Sequence, residues 1–299
     1  MAEHRVEFRL SENPWAPTAV VDELNARHGC GLRFVGIADQ VGGTSSAAFV
    51  EWPDGRAAAL TRTLAPASRM RQTAEVLELA RSVGIPVPRY ELITELADGY
   101  VTVVQERMPG RHVYDAGEET IDTIVAENER FAGLLAERAD VPVADAFPAS
   151  SAGDYGPWEQ TLGRYDDRSL RLLRALRALD GGGPYEMPGA DLVHTDYSVD
   201  NILLDECGRV SGIVDWNQGA ARGDCRFALV GLRMGSAGRR LPRDASARAD
   251  EHLSLLDGDL LRVYQAHWRL RVVHGSIHKG FAPKRIDADI RAAEEFLSA

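Results

Sequence analysis

The chain has 299 residues, with 34 Lys plus Arg against 45 Asp plus Glu and a formal charge of −11. Its 44% hydrophobic and 26% charged residues suit a sizeable buried core and exclude disordered and fibrous classes. The acidic balance disfavours phosphate neutralisation on a nucleic acid, and no apolar run reaches the roughly 18 residues of a membrane span, so neither nucleic acid nor membrane is an expected partner. The opening MAEHRVEFRL has no apolar signal core, and Cys30, Cys207 and Cys225 form no CxxC pair, so a reducing, cytoplasmic setting is expected.

Residues 14–28 place Val20, Val21 and Leu24 at helical spacing and stop at Gly29, which predicts a helix. Strand-like runs LRFVGI, AAFVEW and RAAALTRTL follow, the last two joined by the turn Pro53-Asp54-Gly55. A helix is predicted over 68–82, closed by Gly84 and the Pro86-Val87-Pro88 block. YELITEL and GYVTVVQERM then read as two strands ending at Pro109-Gly110. Beyond this point Ile121, Ile124, Val125, Phe131, Leu134 and Leu135 form a helical stripe over 118–138. Leu162, Tyr165, Leu172, Leu173, Leu176 and Leu179 form another over 158–179. Short apolar runs at 191–194, 201–204 and 210–216 flank polar loops, and 227–299 is mostly helical in pattern.

This organisation predicts an α+β fold. A small β-rich N-terminal lobe would span residues 1–110, with the short helix at 14–28 ahead of its strands, and a larger, mainly helical C-terminal lobe would span 111–299. The first stretch carries a charge of −3 and the second −8; solvated helix faces account for this split, and a field that gathers a cationic substrate is the sharper alternative.

Leu192 to Leu204 and Gly212 to Trp216 carry the chemistry. Asp196 and Asn201 stand five residues apart in a polar loop between apolar strands, and Asp215 ends another strand fourteen residues later. Phosphoryl transfer requires such a set: one carboxylate to accept a hydroxyl proton, and an amide oxygen with a second carboxylate to hold Mg²⁺ against phosphates. His194 two residues before Asp196 completes the H-x-D-x-x-x-x-N pattern of a kinase catalytic loop.

The stretch VHTDYSVDNILLDECGRVSGIVDW…ARGD resembles the aminoglycoside phosphotransferase and choline kinase superfamily, the protein-kinase-like small-molecule kinases. GIPVPRY is similar to that family's G-x-P-V-P-x stretch, and VTVVQERMPG to its interlobe strand; the resemblance covers about residues 40–230. It implies a two-lobed protein-kinase-like fold, with ATP or GTP as donor and Mg²⁺ as cofactor. Asp196 would be the catalytic base, His194 the residue that orders its loop, and Asn201 and Asp215 the Mg²⁺ ligands. Gly42, Gly43, Thr44, Ser45 and Ser46 resemble the family's phosphate loop, and the backbone around Gln105, Glu106 and Met108 would meet the nucleobase.

Departures are visible as well. Thr195 replaces a Gly, and Asp200 is either a solvated turn carboxylate or an added charge beside the metal that contacts substrate. Cys225-Arg226-Phe227-Ala228 replaces the P-x-x-D that follows the family's G-D, here Gly223-Asp224. The family's small-lobe lysine is missing, because the chain's two lysines are Lys279 and Lys284. Arg62 is the expected substitute and Glu75 its partner on the next helix, although the family's Glu falls nearer Gln72 or Thr73. Tyr264, His267 and Trp268 would either line the substrate cleft or pack in the core.

The expected activity is transfer of a nucleotide γ-phosphoryl group to a hydroxyl of a small molecule by a monomer or homodimer. The first expected acceptor is an antibiotic such as an aminoglycoside, in resistance or self-protection. Small metabolites of the choline, homoserine or sugar type, and macrolide, peptide or nucleoside antibiotics, are alternatives. The rival from another class is a catalytically degenerate kinase-like binding protein, motivated by the absent lysine. A protein kinase is disfavoured because no Asp-Phe-Gly or Ala-Pro-Glu follows Asn201.

Overall fold

The computed structural model describes residues 16–37, 47–113, 115–144, 158–180, 187–234 and 241–298. The first predicted helix runs as α1 (Pro17–His28) and buries Val20, Val21 and Leu24. Three strands follow, β1 (Arg33–Ile37), β2 (Ala48–Glu51) and β3 (Ala57–Thr63). At the Pro53-Asp54-Gly55 turn between the last two, Asp54 Oδ1 accepts the Arg56 N–H at 3.0 Å. Then come α2 (Ala67–Ser82), β4 (Tyr90–Glu95) and β5 (Val101–Glu106), which complete an antiparallel sheet in the order β1-β2-β3-β5-β4.

Two faces of this sheet matter for function. Met70 of α2 is fully buried with Val101 and Val103 of β5, and Ala65, Ala67, Tyr90 and Ile93 pack around them. Burial of Met70, Val76 and Leu77 from α2 contributes about 1.5–3 kcal/mol each. Ala59 pairs with Gln105, Thr61 with Val103 and Thr63 with Val101. Side chains alternate along a strand, so Thr61, Thr63 and Gln105 share the α2 face and Arg62 stands on the opposite one.

The next elements are β6 (Arg111–His112) and α3 (Glu118–Glu129). α3 ends nine residues earlier than its stripe predicts. Beyond Arg130 the chain winds in tight turns, with the Phe131 N–H bonded to Asn128 O at 3.0 Å and the Leu134 N–H to Phe131 O at 3.2 Å. Asp191 Oδ1 takes the Gly133 N–H at 2.7 Å, and Phe131 and Leu135 are still fully buried, so the stripe reports burial rather than helix length. The predicted helix over 158–179 is likewise two, α4 (Trp158–Tyr165) and α5 (Asp167–Arg177). Asp166 breaks it by capping α5, its Oδ1 accepting the Ser169 N–H at 2.7 Å.

The remaining elements are β7 (Asp191–Val193), a 3-10 turn (Val199–Asn201), β8 (Ile202–Leu204), β9 (Val210–Ile213), β10 (Ala221–Gly223), α6 (Phe227–Met234), α7 (Arg243–Leu253), α8 (Gly258–His278) and α9 (Pro283–Ser298). β7 pairs with β10, and β6-β8-β9 form a three-stranded sheet. The architecture is α+β, strand-rich toward the N-terminus and helical toward the C-terminus. One compact unit takes Ala16–Ala144 with Glu186–Gly258 and holds every described strand. The other contains α4, α5, α8 and α9 among its described residues, and in it Arg168 ties α5 to Asp287 and Glu294 of α9, each at 2.6 Å. Among the described residues no helix is long and apolar enough to cross a membrane.

Candidate active site

The site forms within the first of these units. β8 and β9 pair with Ile202 opposite Ile213, which sets the start of one strand beside the end of the other. Asn201, just before β8, therefore meets the chain leaving β9, and its carbonyl accepts the Val214 N–H at 2.9 Å. Its side-chain Nδ2 donates to Asp196 O at 2.8 Å, which commits the amide nitrogen to the loop and leaves the amide oxygen for other partners.

His194 ties the same two segments together. Its Nδ1 accepts the Asp196 N–H at 3.1 Å, and its Nε2 faces Val214 O at 3.0 Å. An acceptor at one nitrogen and a carbonyl at the other require the neutral Nε2–H tautomer. A ring bonded in this way joins backbones rather than taking a proton from an acceptor. His194 is buried against Trp216, with ring centroids 4.3 Å apart, and lies 5.9 Å from Tyr197. Phe131 packs on both of those rings, and the Tyr197 hydroxyl donates to Ile124 O at 3.0 Å.

Asp215 is the one described residue other than glycine with a left-handed backbone, at φ 64°. Such a conformation costs on the order of 1 kcal/mol and persists only where neighbours enforce it. The neighbours are visible. Asn217 Nδ2 donates to Asp215 Oδ1 at 2.7 Å, while β3 grips Asn217: Thr61 Oγ1 donates to Asn217 Oδ1 at 3.0 Å and Thr63 Oγ1 to its carbonyl at 2.8 Å. Thr195 Oγ1 bonds to Gln218 Oε1 at 3.1 Å and closes the loop from the other side. Burial, and then the negative charge of Asp215, push the Tyr90 hydroxyl pKa up. Asp196, Asn201 and Asp215 thus sit on one hydrogen-bonded frame. Two carboxylates and an amide are hard oxygen donors, the chemistry that Mg²⁺ takes. Asp200 is buried in the 3-10 turn, its carbonyl bonded to His112 Nδ1 at 2.9 Å.

The N-terminal residues need correction. Arg62 does not meet Glu75. Its guanidinium bonds to Asp98 and lies 4.1 Å from the Tyr100 ring centroid, on the sheet face away from Thr61, Thr63 and the Asp215 loop. Glu75 is exposed and pairs instead with Arg138 at 3.1 Å. Glu106 bonds through its N–H to Arg89 O at 2.8 Å and through its carboxylate to Arg81 at 2.7 Å.

Gln105 is buried on the Thr61 face, and its Oε1 has no hydrogen-bond partner among the described residues. An orphaned acceptor there suits a nucleobase amine. Met108 packs where a β-carbon on residue 212 would come within 2.8 Å, so Gly212 makes room for it. Gly42, Gly43, Thr44, Ser45 and Ser46 lie outside the described residues. Tyr264, His267 and Trp268 belong to the other unit and are buried in α8, with His267 5.2 Å from the Trp158 ring and Arg271 4.7 Å from that of Trp268.

Two residues escaped the sequence reading. Asn217 carries no motif signal beyond its place two residues after Asp215. Arg69, which packs against Gly219 of the same loop, has neutral Gln72 and Thr73 at the helical positions where a paired arginine finds an acid. Elsewhere in this unit, ligand atoms of Asp191, Asp224 and Cys225 lie within 4.8 Å of one another. Both carboxylates are already engaged, Asp191 by the Gly133 and Cys225 N–H groups and Asp224 by Arg226. Burial, and then the charge of Asp191, push the Cys225 thiol up, which opposes thiolate ligation.

Comparison with known proteins gives this geometry its context. No curated protein sequence matches the chain. Among solved structures it is similar to a thermostable aminoglycoside phosphotransferase APH(4)-Ia mutant in ternary complex with AMP-PNP and hygromycin B, at 19% identity and TM-score 0.63, covering 94% of this chain and 98% of that one. An aminoglycoside-3'-phosphotransferase of type VIII matches at 20% identity and TM-score 0.60, over 84% and 98%. An amicoumacin kinase in complex with AMP-PNP, Ca²⁺ and Ami matches at 13% identity and TM-score 0.65, over 95% and 94%. These likenesses show the kinase-like α+β fold. The model of the phosphotransferase enzyme family, APH, matches residues 39–265, most of the sequence, and the chain therefore belongs to that family and is a small-molecule phosphotransferase.

Proposed function

We propose that the chain transfers the γ-phosphoryl group of ATP or GTP to a hydroxyl of a small molecule, with Asp196 as base and Asn201 and Asp215 as Mg²⁺ ligands. In this reading residues 1–110 bind the nucleotide and 111–299 supply the base and the acceptor site. The hydroxyl oxygen forms a bond to the γ-phosphorus as the bond to the β-phosphate oxygen breaks, and the nucleoside diphosphate leaves. The hydroxyl proton passes to the Asp196 carboxylate, late in the transfer, because positioning and charge neutralisation dominate the barrier. His194 keeps Asp196 and Val214 in register, and Asn217 holds the Asp215 carboxylate. When bound, Mg²⁺ neutralises phosphate charge.

The observation that carries this reading is the double link through Asn201, by its side chain to Asp196 O and by its carbonyl to Val214. The acceptor we propose first is an antibiotic of the aminoglycoside kind, in resistance or self-protection. The charge of −8 over residues 111–299 favours a polycationic sugar, and the solved relatives named above include enzymes for aminoglycosides and for amicoumacin. Mass spectrometry for a gain of one phosphate across an antibiotic and metabolite panel, with ATP and GTP tested separately, is the experiment. Phosphorylation of a choline-type or sugar-type metabolite alone would move the substrate class. Arg62 turned away from the Asp215 loop keeps the degenerate-kinase alternative in view, and nucleotide binding without any phosphorylated product would select it.

A further inference from the structure

The phosphates of a nucleotide form a dense anion, and no lysine precedes residue 279. Around the five-stranded sheet, Arg33, Arg56, Arg62, Arg81 and Arg89 are each held by a carboxylate. Arg69, in the first turn of α2, differs. Among the described residues its guanidinium has one hydrogen-bond partner, Gln72 Oε1 at 3.0 Å, which orients the group without cancelling its charge. Gln72 is itself anchored, its Nε2 donating to Asp140 O at 2.8 Å.

The side chain is directed at the Asp215 loop. Gly219 lies four residues beyond Asp215, and a β-carbon built there would fall 3.0 Å from Arg69 Cγ and 3.1 Å from its Cδ. Gly219 also has φ +87°, so residue 219 must be a glycine both for its own backbone and for the approach of Arg69. Next in the loop, the Ala220 N–H bonds to Thr73 Oγ1 of α2 at 3.0 Å, while Thr61 and Thr63 of β3 hold Asn217 from the same sheet face. α2, β3 and the loop therefore converge on one side, and Arg69 is the cation placed among them. Burial lowers its pKa from the ordinary arginine value, the response of a cation drawn out of water without a counter-ion, though it remains charged at neutral pH. An anion arriving there gains a charge-assisted hydrogen bond that no carboxylate already satisfies.

We infer that Arg69 holds the phosphates of the donor nucleotide from α2, in place of a basic residue on β3, whose loop-facing side chains are Thr61 and Thr63. The inference rests on the phosphotransfer reading above and names the residue that reading lacks. It also assigns Gln72 as the neutral side chain that positions the guanidinium.

Calorimetric titration of ADP and adenosine in Mg²⁺ buffer, with GDP and guanosine in parallel, tests it. Arg69→Met keeps the aliphatic stem against Gly219 and removes the charge, and it is expected to lose about ten- to a hundredfold in diphosphate affinity while nucleoside affinity stays within about twofold. Arg69→Lys is expected to retain more diphosphate affinity than Arg69→Met. Unchanged diphosphate affinity in Arg69→Met overturns the assignment, and so does a parallel fall in nucleoside affinity, which would make Arg69 a packing residue. A second measurement needs no folded Met variant: in the unaltered chain the Arg69 Nε–H resonance should shift with ADP and not with adenosine, and the absence of that shift overturns the assignment. If the unaltered chain binds neither diphosphate, the phosphotransfer reading falls as well; normal ADP binding by Arg69→Met removes Arg69 alone.

Discussion

The loops around Asp196 and Asp215 and strand β3 make a useful pair. In the loops, each side chain of the proposed site is placed by short-range links: His194 to the Asp196 N–H, Asn201 to Asp196 O, Asn217 to Asp215. In β3, adjacent residues do opposite things. Thr61 faces the Asp215 loop, while Arg62 faces Asp98 and Tyr100. Spacing along the chain is a sound guide where a few residues form a tight turn. In a strand a single position reverses the outcome, because side chains alternate at a period of two.

The largest expected effect lies in the loops. Asp196→Ala should lower turnover by about 10²–10⁴ while nucleotide affinity measured by calorimetry is retained. Near-normal turnover would remove the base assignment and with it half of the contrast. Chelation by EDTA should abolish turnover and added Mg²⁺ restore it, and Asp215→Asn should need a higher Mg²⁺ concentration for half-maximal rate; an unshifted Mg²⁺ dependence would take Asp215 out of the ligand set. His194→Ala removes a buried ring and its two backbone links, so chemical denaturation should show a loss of about 3 kcal/mol together with reduced turnover.

Smaller effects test the strand. Arg62→Ala should cost about 2 kcal/mol of stability through the lost Asp98 and Tyr100 contacts and leave ADP affinity unchanged. A weakened ADP affinity would return Arg62 to the phosphates and break the division between the two faces. Smallest of all, iodoacetamide at about pH 8 should label exposed Cys207 in the native chain and spare Cys225, which is buried and has a raised thiol pKa, until the chain is unfolded. Native labelling of Cys225, read by peptide mass spectrometry, would show that the segment after β10 opens.

Much of the fold was legible. The Pro53-Asp54-Gly55 turn and the Gly-terminated first helix each rest on local chemistry, and each is found where residue type and order predict it. Helix lengths were not. The stripe from Ile121 to Leu135 continues through 3-10-like turns, because burial of one side is common to both windings, and Asp166 divides a second stripe by capping inside it. Glu75 and Arg62 lie thirteen residues apart on successive elements and still face different partners, Arg138 and Asp98.

What the order of residues determines by itself is the gathering of Asp196, Asn201 and Asp215 on one hydrogen-bonded frame, because a short loop and a hairpin leave little freedom in where those groups can go. The cation beside the Asp215 loop was decided by the tertiary structure. Strand parity turned Arg62 outward, and the packing of α2 on the sheet brought Arg69 to Gly219, a meeting of residues 150 positions apart that no local pattern encodes.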